Sequence, residues 1–214
     1  MSGIRSTRLR AALITVPLVL GVLGTAVAPA GAAAAHPRPS ITCRGAGVDP
    51  GAVVRYRTQT MIHAPLDTVW KLQTDVERWP SWQAAVNTAQ RLDHGPLRTG
   101  SAFRWTTPVP ATATTPAVTV VVTSTVEQIR RDSCIRWTGP ATAGGLLING
   151  VHVWNFTQVK GGVLVRTEET HAGAQVDADP TAATRILAAG LDAWLRDLKA
   201  AAEARSGDQP LDRR

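Results

Sequence analysis

Residues 179–204 read DPTAATRILAAGLDAWLRDLKAAAEA, and this stretch decides the fold. Asp179 is a good helix N-cap, and Pro180 stands at the first helical position, where its missing N–H costs nothing. Ile186, Leu187, Leu191, Trp194, Leu195 and Leu198 recur at spacings of three and four, which predicts one broad apolar stripe. Arg185, Asp192, Arg196, Lys199 and Glu203 take the other face, with Asp192 four residues ahead of Arg196. A helix this long, apolar on one side, must lie on a sheet.

The sheet is read upstream. Residues 53–62 mix Val, Tyr, Thr and Gln as a first strand, ended by Pro65. Residues 67–72 read as a short helix, and Asp75 caps a second short turn through Trp79-Pro80-Ser81-Trp82. Six further strands are predicted at 86–93, 101–107, 118–130, 133–138, 150–159 and 163–171. Gly95-Pro96, Pro108-Val109-Pro110, Asp132, Gly139-Pro140 and Gly161-Gly162 separate them with turn chemistry. Gly144-Gly145 reads as a flexible loop over a cavity. Segregated helices and hairpin-linked strands make the class α+β with an antiparallel sheet.

The first residues set an address. Arg5, Arg8 and Arg10 precede an apolar run from Ala11 to Ala28, and a small-residue stretch, Ala30-Gly31-Ala32-Ala33-Ala34-Ala35, follows. These are the parts of a secretory signal peptide, predicted over residues 1–35. Pro17 and Gly21 break the run, and no basic stop follows it, so no stable membrane anchor is expected after cleavage. Removal of the segment takes away three arginines and leaves 20 basic residues against 16 acidic ones. That excess is spread along the chain, with no run longer than Arg130-Arg131, so a nucleic-acid surface is not expected. The product is predicted to be secreted: an extended arm at 36–52, a domain at 53–205 and a disordered tail at 206–214.

Cys43 and Cys134 are the two cysteines. In an oxidising compartment a lone pair reads as a disulfide, one that would pin the arm to the middle of the sheet. On the chain-entropy model, closing a loop of about ninety residues stabilises by ~4 kcal/mol. No metal or other cofactor is expected, since two distant cysteines and five scattered histidines match no ligand spacing. No nucleophile elbow or Gly-rich phosphate loop stands out either.

Several stretches resemble the polyketide cyclase/dehydrase and lipid-transport family of the START-like superfamily. Ile62-His63-Ala64-Pro65-Leu66-Asp67-Thr68-Val69-Trp70 is similar to its strand-to-helix junction, and Thr74-Asp75-Val76-Glu77-Arg78-Trp79-Pro80-Ser81-Trp82 to its "D-x-x-x-W-P-x-W" turn. Gly95-Pro96-Leu97 with Gly100-Ser101-Ala102-Phe103-Arg104-Trp105 resembles its second hairpin, and His152-Val153-Trp154 and Glu168-Glu169-Thr170 its last two strands. The resemblance implies a helix-grip fold: a curved seven-stranded antiparallel sheet around the C-terminal helix, two short helices after the first strand, and a cavity between sheet and helix. A signal peptide and a cysteine pair depart from the usual cytoplasmic member.

Strand alternation then assigns faces. His152, Trp154 and Phe156 share one, as do Thr167, Glu169 and His171 on the next strand. A two-residue turn between these strands sets Trp154 opposite Glu169 or Thr167, and His152 opposite His171 or Glu169. Arg104 is expected in solvent. Seven tryptophans beside one tyrosine and two phenylalanines is an unusual aromatic choice. The expected ligand-binding set is Trp82, Phe103, Trp105, Ser124, Trp137, Trp154, Leu187, Leu191 and Trp194, with Trp79 and Trp82 at the mouth; apolar lining with few polar anchors suits a small hydrophobic molecule. Binding of a lipid or polycyclic metabolite without turnover is the leading reading. A cyclase or dehydratase using Glu169 and His152 as acid and base is the second, and an extracellular interaction domain with a packed core the third.

Overall fold

The computed structural model describes residues 39–109 and 117–207; the predicted signal segment and most of the predicted tail lie outside them. Strands β1 (Val54–Ile62), β2 (Thr88–Arg91), β3 (Ala102–Val109), β4 (Val118–Arg130), β5 (Cys134–Ala143), β6 (Leu146–Val159) and β7 (Gly162–Ala172) form one curved antiparallel sheet in the order β1-β7-β6-β5-β4-β3-β2. Helix α1 (Leu66–Thr74) and a 3-10 helix (Val76–Ser81) follow β1; α2 (Ala174–Ala178) and α3 (Pro180–Gly207) follow β7. This is the expected helix-grip arrangement. Asp179 caps α3 through its Oδ1, which accepts a hydrogen bond from the Ala182 N–H at 2.9 Å.

Leu187, Leu191, Trp194, Leu195, Leu198 and Ala202 are the buried residues of α3. Ile186 is instead 75% exposed, a correction to the predicted stripe. At 100° per residue, Ile186 lies about 130° from the centre of the buried set, which is too far round to reach the sheet.

The second correction concerns β5 and β6. Gly139-Pro140 does not end a strand: both lie inside β5, and Gly144-Gly145, expected as a cavity loop, is the tight turn joining Ala143 to Leu146. Both glycines have positive φ, 49° and 90°, the pair of angles that a two-residue hairpin turn requires. Gly139 serves a different purpose, close approach: a Cβ there would lie 2.0 Å from the Thr123 carbonyl oxygen on β4.

The segment before β1 crosses the outer face of the sheet. The Cys43–Cys134 disulfide forms, joining the arm to the start of β5. Ile41, Cys43 and Val48 pack there with Cys134 and Val153 as a small second core. Glu168 of β7 is its polar centre, buried to 1% exposure. Its Oε2 accepts hydrogen bonds from the Ile41 N–H at 2.8 Å and Ser40 Oγ at 3.1 Å, while Arg55 Nε donates to its Oε1 at 2.5 Å. Arg136 Nε donates to the Gly47 carbonyl, and Asn155 Nδ2 to that of Thr42. Both faces of the β5–β6–β7 region are therefore covered, one by α3 and one by the arm.

Candidate functional site

The inner face carries an aromatic cluster. Trp79, fully buried on the 3-10 helix, packs edge-on against Phe103 at 5.4 Å, Trp105 at 6.2 Å and Trp194 at 5.0 Å, and tilted against Trp137 at 6.1 Å. Trp194 also meets Trp82, Trp105 and Trp154, at 6.1, 5.7 and 6.3 Å. Edge-to-face contacts set positive ring edges on negative ring faces, so the arrangement is favourable beyond its burial. The rings fill, with one another, the space where a cavity was expected: indoles packed edge to face take up the gap between sheet and helix. Trp79, expected at the mouth with Trp82, is the hub of the cluster. The reason is local: Pro80 keeps the turn tight, and the Trp79 Nε1–H folds back to donate to the Gln73 carbonyl at 3.1 Å.

Of the residues singled out from the sequence, Trp82, Phe103, Trp105, Trp137, Trp154 and Trp194 come together in this cluster. Ser124, buried, stands beside it, paired across strands with Phe103. Leu187 and Leu191 do not join it. They lie nearer the start of α3, in a separate cluster with Val54 and Val176. Arg104 is exposed, as its alternation required.

Several polar atoms in and around the aromatic cluster are buried with no hydrogen-bond partner among the described residues: Trp82 Nε1, Trp105 Nε1, Trp154 Nε1, Gln73 Nε2, Gln83 Nε2 and Ser124 Oγ. Each such group costs about 1–3 kcal/mol relative to a bonded one, so their concentration in one region is a feature to explain. Gln73 and Gln83 escaped the sequence reading because a glutamine carries no periodic signal of burial. Gln73 is fully buried, and its Oε1 accepts from Trp194 Nε1 at 3.1 Å.

Between the two apolar clusters runs a line of ionisable groups. Val159↔Gly162 pairing makes Lys160-Gly161 the turn, which sets His152 opposite Glu169 and Trp154 opposite Thr167. His152 Nδ1 lies 3.3 Å from Glu169 Oε2, and His171 Nε2 lies 3.3 Å from Glu169 Oε1. His152 Nε2 lies 2.7 Å from Thr167 Oγ1. Since a carboxylate only accepts, the tautomer with Nδ1–H towards Glu169 leaves Nε2 to accept the Thr167 hydroxyl proton, for which the Val153 carbonyl, 3.3 Å from that hydroxyl, competes. Burial drives the His152 pKa down to about 4, against the opposing pull of the Glu169 charge. Glu169 is desolvated, yet the two imidazoles beside it hold its carboxyl below the usual range. His171 is raised, because the Glu169 charge outweighs the effect of burial. The chain of contacts runs from partly exposed His171 to fully buried Thr167. His152 also touches the aromatic cluster, its ring 5.1 Å from Trp137 and 4.9 Å from Trp154. Next to Glu169 on β1, Tyr56 donates its hydroxyl to Asp192 of α3 at 3.1 Å. Among the described residues, no group of three or more metal-ligating side chains assembles.

Known folds share this architecture. A hypothetical protein, jhp0584, from Helicobacter pylori superposes with a TM-score of 0.57 at 17% identity, covering 72% of this chain and 90% of that one. The di-domain aromatase/cyclase StfQ of the steffimycin biosynthetic pathway gives 0.56 at 19% identity, over 72% of this chain and 52% of that one. Ara h 8.0201 gives 0.53 at 12% identity, over 70% and 97%. At these identities the likeness shows the fold alone. No curated protein matches the chain in sequence. The model of the family described as polyketide cyclase / dehydrase and lipid transport matches residues 53–203, all seven strands and nearly all of α3. The chain belongs to the polyketide cyclase/dehydrase and lipid-transport family.

Proposed function

We propose that this protein is exported and binds a small hydrophobic molecule carrying several hydrogen-bond acceptors, held among the tryptophans between the sheet and α3. Family and fold point to ligand binding or cyclase-type activity. The observation that carries the finer reading is the set of buried, unpartnered donors on Trp82, Trp105, Trp154, Gln73 and Gln83. An apolar ring system with carbonyl or phenolic oxygens satisfies such donors, whereas a plain acyl chain leaves them bare. The rings already pack on one another, so admission requires them to part. Trp82 and Trp105 are only half-buried and form the side that opens most readily. A depression of about 220 Å³, lined in part by Lys71, Arg78, Arg205 and Trp82, leads to that side. Export is supported by the basic-apolar-small pattern of residues 1–35 and by the disulfide. No helix among the described residues is long and apolar enough to cross a membrane. Extraction of the protein purified from its secreting host, followed by mass spectrometry, tests the reading. One stoichiometric aromatic or polyoxygenated species is expected; only fatty acids, or nothing, overturns it.

The second reading, acid/base turnover, is favoured by one specific arrangement: Glu169 between two imidazoles, inward-facing as that chemistry requires. In place of the Glu169–His152 pair read from the sequence, the Glu169 carboxylate would accept the proton and His171, raised by that charge, would supply one. Glu169→Gln would then abolish turnover of the extracted ligand while leaving its binding within about threefold of the parent.

A further inference from the structure

A second concavity lies beside the disulfide, and its lining includes none of the tryptophans and none of His152, Glu169 and His171. A depression of about 300 Å³ is lined by Thr42 and Arg44 of the arm, Arg130 and Ser133 at the β4–β5 turn, and Asn155 and Thr157 of β6. Cys134 and Phe156 complete the lining. Its polar lining is two guanidiniums, three hydroxyls and the Asn155 amide, whose N–H groups are already donated to the Thr42 and Trp154 carbonyls, and no carboxylate lines it. Two guanidiniums in one concavity repel one another, yet neither Arg44 nor Arg130 forms an ion pair among the described residues. The nearby acid, Asp132, is engaged by Arg131 at 3.4 Å.

The backbone brings Arg44 there at a cost. Cys43 and Ala46 exchange both hydrogen bonds, N–H to O at 2.9 and 3.0 Å, so Arg44-Gly45 forms the tip of a tight turn. Arg44 takes φ of 50°, the left-handed region that a long side chain avoids, beside Gly45 at 85°. The bridge through Cys43 anchors this turn against β5, and the Asn155 side chain, donating to the Thr42 carbonyl at 2.9 Å, anchors it against β6. Two exposed arginines that line one concavity with the Thr42, Ser133 and Thr157 hydroxyls suit a compact oxyanion: guanidiniums bind phosphoryl and sulfuryl oxygens in paired, charge-assisted hydrogen bonds.

We infer that the Arg44–Arg130 concavity is an oxyanion site, assembled by the Cys43–Cys134 bridge, that takes a phosphate or sulfate group, free or as a headgroup. It shares no tryptophan with the aromatic cluster and stands whether or not that cluster binds a ligand.

Titration of the oxidised protein with inorganic phosphate, followed by backbone amide NMR at constant ionic strength, tests it. Saturable shifts are expected at Arg44, Ser133, Asn155 and Thr157, with a dissociation constant on the order of millimolar for so exposed a pair. Arg44→Ala and Arg130→Ala, both exposed and safe for folding, should each weaken binding roughly tenfold, the worth of a charged hydrogen bond. A parallel titration with soluble short-chain phosphatidic acid separates the sources: tighter binding than phosphate assigns a lipid headgroup, equal binding a free anion. Shifts that stay linear in phosphate, or that persist unchanged in the double arginine variant, overturn the inference.

Discussion

His152 shows how burial sets the chemistry of one side chain. Its pKa near 4 lies below the ordinary value of 6.5, so the unfolded chain takes up the proton first as the medium is acidified. Folding stability therefore falls as pH drops from about 6.5 towards 4. His171 acts in the opposite sense: its raised pKa contributes stability that is fully present below 6.5 and lost as pH rises through the folded value. Glu169, lowered, contributes above 4.5 and loses that as pH falls further. Urea midpoints measured at pH 7 and pH 4.5 should thus drop for the parent, and His152→Phe should shrink that drop; an unchanged difference would place His152 outside the acid response. Glu168, one residue away but on the other face, is structural. Replacing it by Gln removes the charge held by Arg55 and weakens the bonds from Ile41 and Ser40. A loss of about 2 kcal/mol in denaturant unfolding is expected, with no effect on the aromatic cluster. The two neighbours were separable from the sequence because side chains on a strand alternate. Their different partners were not, since the arm's path leaves no trace in periodicity.

Elements were legible where their signal was regular. The seven strands and α3 follow from period-two and period-3.6 patterns with turn residues between. The β5–β6 extension was hidden because Gly139-Pro140 has the composition of a turn while serving a close strand contact. Gly139→Val should break the β4–β5 pairing, since its Cβ has no room beside the Thr123 carbonyl; a variant of normal melting temperature would contradict the packing. The Trp79 hub was hidden too, because six residues of 3-10 helix are too short to show a face. The arm is an element held by its cross-link. The bridge spans a sequence separation of 91, and its removal by Cys43→Ser with Cys134→Ser should cost about 4 kcal/mol on the chain-entropy model. For a domain of this size that lowers Tm by roughly 10 °C, readable by calorimetry.

At the scale of the molecule, the β5–β6–β7 region of the sheet is covered on both sides: by α3 and the aromatic cluster within, and by the disulfide-held arm without. With that part of the outer face held by the arm, the proposed admission of a ligand would fall to the half-buried side at Trp82 and Trp105 rather than to the sheet. A core of tryptophans that contact one another, and His152, reports directly on any such opening. Intrinsic tryptophan fluorescence, titrated with a panel of polycyclic phenols and quinones alongside fatty acids, measures it. Saturable one-to-one quenching by the oxygenated ring compounds, weakened by Trp154→Phe and unaffected by Arg44→Ala, is the predicted result. A flat response to every ring compound, or equal quenching by the fatty acids alone, would contradict the account.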